Sequence, residues 1–144
     1  MVLQTILSFE DRVDAKGLSV ALNMPEDALR VRGDVDSLTR VVYNRVENAI
    51  KFSAPGSELA VSIWKENGKA YTCVQDTGQT IPPEELPLIF DRFHKADRSR
   101  SLDREGAGLG LYMVRQILSA HDQDIFVTSE NGVTAFTFTL ALAE

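Results

Sequence analysis

A single long amphipathic pattern constrains the fold of this 144-residue chain more than any other feature. From Val35 to Phe52, apolar residues recur at helical spacing, and amide and charged residues gather on the opposite side. The apolar side consists of Leu38, Val42, Val46, Ala49 and Ile50, with Val41 and Phe52 at its edge. The pattern predicts a helix that covers a core with one face, so the rest of the chain must supply a second layer.

Six strand-like runs supply that second layer. They are residues 18–24, 28–33, 58–64, 69–75, 124–129 and 134–142. Asn67-Gly68 and Asn131-Gly132 predict tight hairpin turns, because both residues of such a turn need positive φ. Two more helical patterns, at about residues 3–13 and 109–121, bring the helices to three. We therefore expect one domain over residues 1–144, of the α+β class: a two-layer α/β sandwich whose mixed, mostly antiparallel sheet is covered on one face by three helices.

Composition excludes several classes of protein. The 15 basic and 21 acidic residues give a net charge of −6, which argues against a protein that coats nucleic acid. One cysteine, Cys73, and two histidines, His94 and His121, cannot form a zinc site of the usual spacing. No apolar run is long enough for a membrane span or an export signal. We expect a cytoplasmic segment without membrane contact, and the sequence leaves open whether a parent protein is membrane-anchored.

The polar side of the long helix carries Asn44, Glu47, Asn48 and Lys51. A solvated surface is the ordinary explanation of such a stripe. Two asparagines four residues apart are, however, weak helix formers, and Lys51 extends the stripe by about one turn. Amide oxygens and one cation suit a magnesium-bound polyphosphate, since magnesium keeps waters and substrate phosphates and needs few protein ligands.

The glycines outside the predicted turns form a second candidate site. Gly106, Gly108 and Gly110 precede a predicted helix, and Gly78 follows Asp76 at the end of a predicted strand. A glycine-rich turn before a helix lets backbone N–H groups approach an anion, but a hinge or a tight turn explains the same spacing. The spacing matches neither the Walker motif nor a dinucleotide-binding fold. Asp76 is either a turn cap or an acceptor for the exocyclic amine of a purine.

Through the motifs NRVENAIKF, DTGQTI, IFDRF, EGAGLGL and GVTAFTFTL, in that order, the chain resembles the catalytic ATP-binding domain of bacterial sensor histidine kinases over nearly its whole length. The resemblance implies the ATP-binding α/β sandwich shared with type II topoisomerases, mismatch-repair ATPases and Hsp90 chaperones. It implies ATP and Mg²⁺ as ligands and a mobile ATP lid. The γ-phosphate would pass to a histidine on a separate dimerisation domain, and the full-length kinase would pass it on to a response regulator.

Matched residue by residue, the resemblance assigns roles to positions of this chain. Asn48 takes the place of the magnesium ligand, Asn44 and Lys51 lie near the phosphates, and Asp76 reads the adenine. The full set implied to bind ATP is Asn44, Asn48, Lys51, Phe52, Asp76, Gly78, Ile81, Phe93, His94, Lys95, Gly106, Ala107, Gly108, Leu109, Gly110, Leu111 and Thr134. Among them, Asn44, Asn48, Lys51 and Lys95 would be catalytic. Phe90 and Phe93 match the aromatic pair that anchors the lid, which would span residues 92–105.

The lack of a base at one position separates phosphoryl transfer from hydrolysis. In the ATPases that share the implied fold, a glutamate one turn before the magnesium asparagine activates water; here that position is Asn44, and an amide cannot be a general base. An imidazole acceptor already carries a lone pair, so transfer needs only positioning and charge neutralisation. Neither His94 nor His121 matches the acceptor pattern. We therefore expect a fragment of a longer sensor kinase, and an ATP hydrolase is disfavoured.

Two positions depart from the family pattern. Thr80 stands where the family has the second glycine of DxGxG, and Arg45 lies within the apolar arc of the helix, where the family usually has leucine. Burying an unpaired guanidinium is costly, so Arg45 either reaches an edge, pairs with an acid or makes a functional contact. These departures keep a second interpretation open, a degenerate nucleotide-binding module that acts by docking a partner.

Overall fold

The computed structural model describes residues 1–91 and 110–143. Within these ranges the elements follow in the order α1 (Val2–Ser8), α2 (Glu10–Lys16), β1 (Ser19–Asn23), α3 (Val35–Phe52), β2 (Glu58–Glu66), β3 (Lys69–Thr77), a 3₁₀ turn (Leu86–Leu88), α4 (Gly110–Ala120), β4 (Ile125–Glu130) and β5 (Val133–Ala141). None of the helices in the described part of the chain is long and apolar enough to cross a membrane. The predicted lid lies outside the described residues.

The five strands form one sheet in the order β1-β2-β3-β5-β4. Only β1 and β2 pair in parallel, and the other three pairings are antiparallel, which confirms the predicted mixed, mostly antiparallel sheet. The register sets Thr134 of β5 opposite Asp76 of β3 and opposite Ser129 of β4. Three polar residues from three neighbouring strands therefore lie in one row across the sheet.

Helix α3 packs its apolar face onto this sheet, as the sequence predicts. The side chains buried at the contact are Leu38, Val41, Val42, Val46, Ala49 and Ile50 from α3, with Leu59, Val61, Val74, Phe138 and Leu140 from the sheet and Val114 and Leu118 from α4. Full burial of a valine or leucine side chain contributes about 1.5–3 kcal/mol. The polar side of α3 consequently faces away from the sheet.

The start of α3 is fixed by a side-chain cap. Asp34 Oδ2 accepts hydrogen bonds from the hydroxyl (2.6 Å) and the backbone N–H (2.9 Å) of Ser37, and these two bonds lower the pKa of Asp34. The backbone N–H of Asp34 donates to Nε2 of His121 at 3.0 Å, just beyond α4. Since Nε2 accepts, Nδ1 carries the proton and donates to the carbonyl of Ile117. His121 therefore connects the two helices through hydrogen bonds.

Two details of the predicted secondary structure are wrong. The expected N-terminal helix is divided at Phe9, which is buried and contacts Tyr43 with tilted rings whose centroids lie 4.9 Å apart, so the described ranges contain four helices instead of three. The segment 28–33 is not a strand, because only Val31 forms a bridge, to Leu142. Both Asn-Gly hairpin turns are confirmed, with φ of 51° and 77° at Asn67-Gly68 and 52° and 82° at Asn131-Gly132.

Candidate functional site

Two asparagine amides on α3 are oriented by their hydrogen bonds. Asn44 Oδ1 accepts from Nε (3.2 Å) and Nη2 of Arg45 and from Nδ2 of Asn48 (3.3 Å). Asn44 therefore turns its Nδ2 away from these partners, and Asn48 keeps its Oδ1 without a hydrogen bond within residues 1–91 and 110–143. The helix thus presents an N–H donor at Asn44 and a carbonyl oxygen at Asn48, one turn apart.

The start of α4 lies directly against the amide of Asn44. A Cβ atom added at Gly110 would lie 2.7 Å from Asn44 Nδ2, so the residue at this position is small because the two elements approach closely. The contact brings together two features that were predicted separately, the amide side of α3 and the last glycine of the EGAGLGL motif. The N-terminus of α4 carries the partial positive charge of a helix N-terminus, next to the donor of Asn44.

The other end of α3 meets the end of β3. Gly78 forms a bridge with Ser53, and a Cβ atom at Gly78 would collide with the backbone oxygen of Phe52. Asp76, two residues earlier, is 2% exposed, and Phe52 is half-buried. Phe52, Asp76 and Gly78, which belong to the predicted ATP-binding set, are therefore neighbours in the fold, although they come from two parts of the chain.

Hydroxyl groups frame this end of the site. The Thr134 hydroxyl is fully buried and shares a 2.7 Å hydrogen bond with Ser129 Oγ, which also accepts from the backbone N–H of Ile81 at 2.8 Å. Thr80 Oγ1 accepts a 2.6 Å hydrogen bond from the backbone N–H of Gly132. The threonine that departs from the family pattern therefore fixes the segment after β3 to the β4–β5 turn.

An apolar wall lines the side toward α4. Ile81, Ile89, Phe90 and Phe136 form a buried cluster, against which Leu111 packs. The rings of Phe90 and Phe136 meet edge to face with centroids 6.3 Å apart. The guanidinium carbons of Arg45 and Arg115 lie 4.5 Å and 5.3 Å from the centroids of Phe136 and Phe90. A continuous series of cation–π and aromatic contacts, from Arg45 through Phe136 and Phe90 to Arg115, thus connects α3 with α4.

The burial of Arg45 excludes one of the three alternatives that the sequence left open. Its side chain is only 2% exposed, and it does not reach an edge of the helix. Its guanidinium holds Asn44 and covers the Phe136 ring, so the burial of this cation is offset by hydrogen bonds and by a ring face. The side chain makes a contact that orients a predicted site residue.

Several predicted site residues lie outside the described residues. They are Phe93, His94, Lys95, Gly106, Ala107, Gly108 and Leu109. Lys51 is half-buried on α3, next to Phe52. Glu47 pairs with Arg12 of α2 at 3.3 Å. The described residues therefore bring together Asn44, Asn48 and Gly110 at one end of the site and Phe52, Asp76, Gly78 and Thr134 at the other.

One cation beside the site, Lys16, was not predicted from the sequence. Lys16 at the end of α2 donates hydrogen bonds from Nζ to three carbonyl oxygens at the C-terminus of α3. Burial lowers its pKa, Arg12 lowers it further, and the negative charge of Asp76 raises it. Lysine is common in the last turn of a helix, and the local sequence does not indicate a hydrogen-bond partner more than 30 residues away.

Known proteins share both the sequence and the fold of this chain. Residues 33–144 match the family described as histidine kinase-, DNA gyrase B-, and HSP90-like ATPase. The sensor protein SrrB of Staphylococcus aureus (strain MRSA252) is 32% identical over 126 residues, which cover 88% of this chain and 21% of that protein. The chain thus spans about a fifth of the length of the curated relatives it matches.

Solved structures of histidine kinases have the same fold. The catalytic domain of the histidine kinase ThkA superposes with a TM-score of 0.85 at 22% identity, over 97% of this chain and 89% of that one. ThkA is also known in complex with the response regulator protein TrrA. Full-length ShkA, solved in complex with AMPPNP, gives a TM-score of 0.81 at 25% identity, over 99% of this chain and 30% of that one.

The α+β sandwich, the family match over residues 33–144 and the sensor-kinase relatives agree with one another. They also agree with the order of the motifs in the sequence. The chain therefore belongs to the histidine kinase-, DNA gyrase B- and HSP90-like ATPase family, and within that family it is similar in sequence and fold to sensor histidine kinases.

Proposed function

We propose that this domain binds Mg-ATP between α3 and the start of α4 and donates the γ-phosphate to a histidine on a separate dimerisation domain. The observation that carries the proposal is the opposite orientation of the two amides. The N–H groups of Asn44 suit phosphate oxygens, and the free Oδ1 of Asn48 suits Mg²⁺, which prefers hard oxygen ligands.

The donor set fits magnesium and not a softer metal. Within the described ranges, no group of three or more His, Cys, Asp or Glu side chains could hold a metal ion. One amide oxygen is sufficient for Mg²⁺ when waters and substrate phosphates complete its coordination. Asn48 would hold the ion, which would neutralise charge on the phosphates during transfer.

The length of α3 suits a nucleotide that lies along it. Asn44 and Phe52 are eight residues apart, which corresponds to about 12 Å along a helix axis at 1.5 Å per residue. The phosphates would lie at the Asn44 end, next to the N-terminus of α4, and the base would lie between Phe52 and Asp76. The carboxylate of Asp76 would accept from the exocyclic amine of adenine.

Phosphoryl transfer is favoured over hydrolysis by the chemistry at position 44. Asn44 has no basicity, and the neighbouring carboxylate of Glu47 pairs with Arg12. The two departures that suggested a partner-docking module, Thr80 and Arg45, both make hydrogen bonds that support the site, so neither favours that alternative. We propose the chain as the catalytic part of a longer sensor kinase that passes the phosphoryl group to a response regulator.

The test replaces Asn48 with alanine and measures Mg-ATP binding by calorimetry. Asn48→Ala should weaken binding at least tenfold in the presence of Mg²⁺ and should leave the melting temperature nearly unchanged, because the one hydrogen bond of the Asn48 side chain to residues 1–91 and 110–143 is weak. Glu47→Ala is the matched control, since it removes a neighbouring side chain that faces α2. Unchanged affinity in Asn48→Ala would remove the metal assignment.

Transfer is tested separately with labelled ATP and a hairpin domain that carries an acceptor histidine. Acid-labile, alkali-stable label on the hairpin would support the kinase. Nucleotide binding without such label would instead support the docking module, and steady-state phosphate release by the isolated domain would support a hydrolase.

A further inference from the structure

Lys16, at the end of α2, binds the C-terminus of α3, the helix that carries Asn44 and Asn48. Its Nζ donates to the carbonyl oxygens of Ile50 (2.9 Å), Lys51 (2.8 Å) and Ser53 (2.9 Å). An ammonium group has three donors, so all of them are used on one helix end. The last carbonyls of an α-helix have no partner within the helix, and a cation placed there also interacts favourably with the helix dipole.

A second contact between the same two helices is much weaker. Arg12 of α2 pairs with Glu47 of α3 at 3.3 Å, but the two side chains are 44% and 34% exposed. Exposed ion pairs contribute little because solvent and salt screen them. Lys16 is half-buried, and its partners are backbone atoms that cannot move without moving the helix. Lys16 therefore provides the stronger connection from α2 to α3.

The carbonyls that Lys16 binds flank Phe52, and the opposite side of this helix end is fixed to the sheet. The backbone N–H of Ala54 donates to Thr77 at 2.8 Å, and Gly78 donates to Gly132 at 2.7 Å. The end of α3 is thus held between Lys16 on one side and the end of β3 on the other. Any change in one attachment alters the spacing between Phe52 and Gly78.

The charge of Lys16 also reaches the base end of the site. The negative charge of Asp76 raises the pKa of Lys16, opposing the effects of burial and of Arg12. The ammonium group of Lys16 and the carboxylate of Asp76 therefore attract one another. The hydrogen bonds of Lys16 and its positive charge therefore both act at the base end of the proposed nucleotide site.

We infer that Lys16 is a positioning residue for the base end of the nucleotide site, acting through the C-terminal backbone of α3. This inference rests on the proposed function and adds to it, because it makes the orientation of α2 a determinant of nucleotide affinity. Lys16 does not touch the nucleotide in this arrangement. It sets the distance between Phe52 and Gly78 and attracts the carboxylate of Asp76.

The experiment compares Lys16→Met with wild type at a temperature at which both are folded by circular dichroism. Lys65→Met, on the exposed β2–β3 hairpin, is the matched control for loss of a lysine charge. We expect Lys16→Met to weaken Mg-ATP binding about 5- to 10-fold, in the range of ordinary coupling between sites. Mg-tripolyphosphate, which has no base, should bind with unchanged affinity. Lys16→Arg should restore part of the loss, because a planar guanidinium fits three convergent carbonyls less well than an ammonium group.

Equal weakening of ATP and tripolyphosphate binding would overturn the inference, since it would indicate a general loss of structure. Unchanged ATP binding in Lys16→Met would overturn it as well. If wild type itself fails to bind Mg-ATP, the proposed function is wrong, so the two failures are distinguishable. Should Lys16→Met not fold, amine acylation of the wild type decides: Mg-ATP should protect Lys16 and not Lys65, and equal labelling of Lys16 with and without nucleotide would overturn the inference.

Discussion

Replacing Gly78 with alanine tests the close approach of β3 and α3. The new Cβ atom would lie closer than 3.0 Å to the backbone oxygen of Phe52, a separation that real Cβ atoms essentially never show. Neither backbone can yield freely, because Ala54 N–H bonds to Thr77 at 2.8 Å and Gly78 N–H bonds to Gly132 at 2.7 Å. Overpacking of this kind costs about 1–3 kcal/mol, and losing one of these hydrogen bonds adds about 1 kcal/mol.

We therefore expect Gly78→Ala to lose about 2–4 kcal/mol of unfolding free energy. At about 3 °C per kcal/mol for a chain of this size, its melting temperature should fall by about 6–12 °C. Mg-ATP affinity should fall as well, because the collision separates Phe52 from Asp76. Thermal denaturation followed by circular dichroism and calorimetric titration provide the two measurements.

Gly68→Ala is the control for this experiment. Gly68 has φ of 77° and no atom near its would-be Cβ, so its substitution costs only about 1–2 kcal/mol of backbone strain and should not alter nucleotide binding. Gly78, by contrast, has no positive φ, so its substitution measures the collision alone. A Gly78→Ala protein that melts within 1 °C of wild type, a margin of about 0.3 kcal/mol, and binds Mg-ATP normally would refute the reasoning.

Three other substitutions test separate parts of the structure. Thr80→Val removes the acceptor of the Gly132 N–H and should cost about 1 kcal/mol, or about 3 °C in melting temperature, whereas Thr80→Ser should melt near wild type; equal melting of the valine and serine variants would contradict the hydrogen bond. Asp34→Ala removes a helix cap whose carboxyl group has a lowered pKa in the folded state. Wild type should therefore be the more stable protein above about pH 4 and should lose this advantage as the pH falls and Asp34 is protonated. A difference in melting temperature between wild type and variant that persists at about pH 2 would count against the assignment. Asp76→Asn should weaken ATP binding about 10- to 100-fold and GTP binding much less, as competition titrations would show, and equal losses for both nucleotides would exclude base recognition by Asp76.

Much of the fold could be predicted because its strongest signals are local. Asp34 and the apolar period fix both ends of α3, and the Asn-Gly pairs fix both hairpins. The segment 28–33 was predicted as a strand because its apolar residues are typical of one. It does not form a strand, because β5 ends at Ala141 and the segment pairs with the chain beyond β5 only through the Val31–Leu142 bridge. The break at Phe9 follows from a tertiary contact with Tyr43 that helical spacing does not reveal.

The candidate site residues could be chosen by residue type, but their partners could not be predicted. Asn44, Asn48 and Asp76 stand out because two amides on one helix face and a carboxylate at the end of a strand suit a magnesium-bound nucleotide. The contacts of Arg45, Lys16 and Thr80 could not be predicted, since their partners are set by the packing of α3 against the sheet and α2. Sequence periodicity gives the face on which a side chain lies, whereas only the assembled layers give the atoms that it meets.

The two Asn-Gly hairpin turns differ in how much alteration they should tolerate. The carbonyl of Gly132 accepts a hydrogen bond from the Gly78 N–H, and the Gly132 N–H donates one to Thr80 Oγ1. The β4–β5 turn is therefore joined to the segment that follows Asp76. Among the described residues, the Asn67-Gly68 turn has no such link to the proposed nucleotide site. A fluorescent dye or an inserted peptide at position 67 should therefore leave nucleotide binding intact, whereas the signal of a dye at position 131 should change when a nucleotide binds.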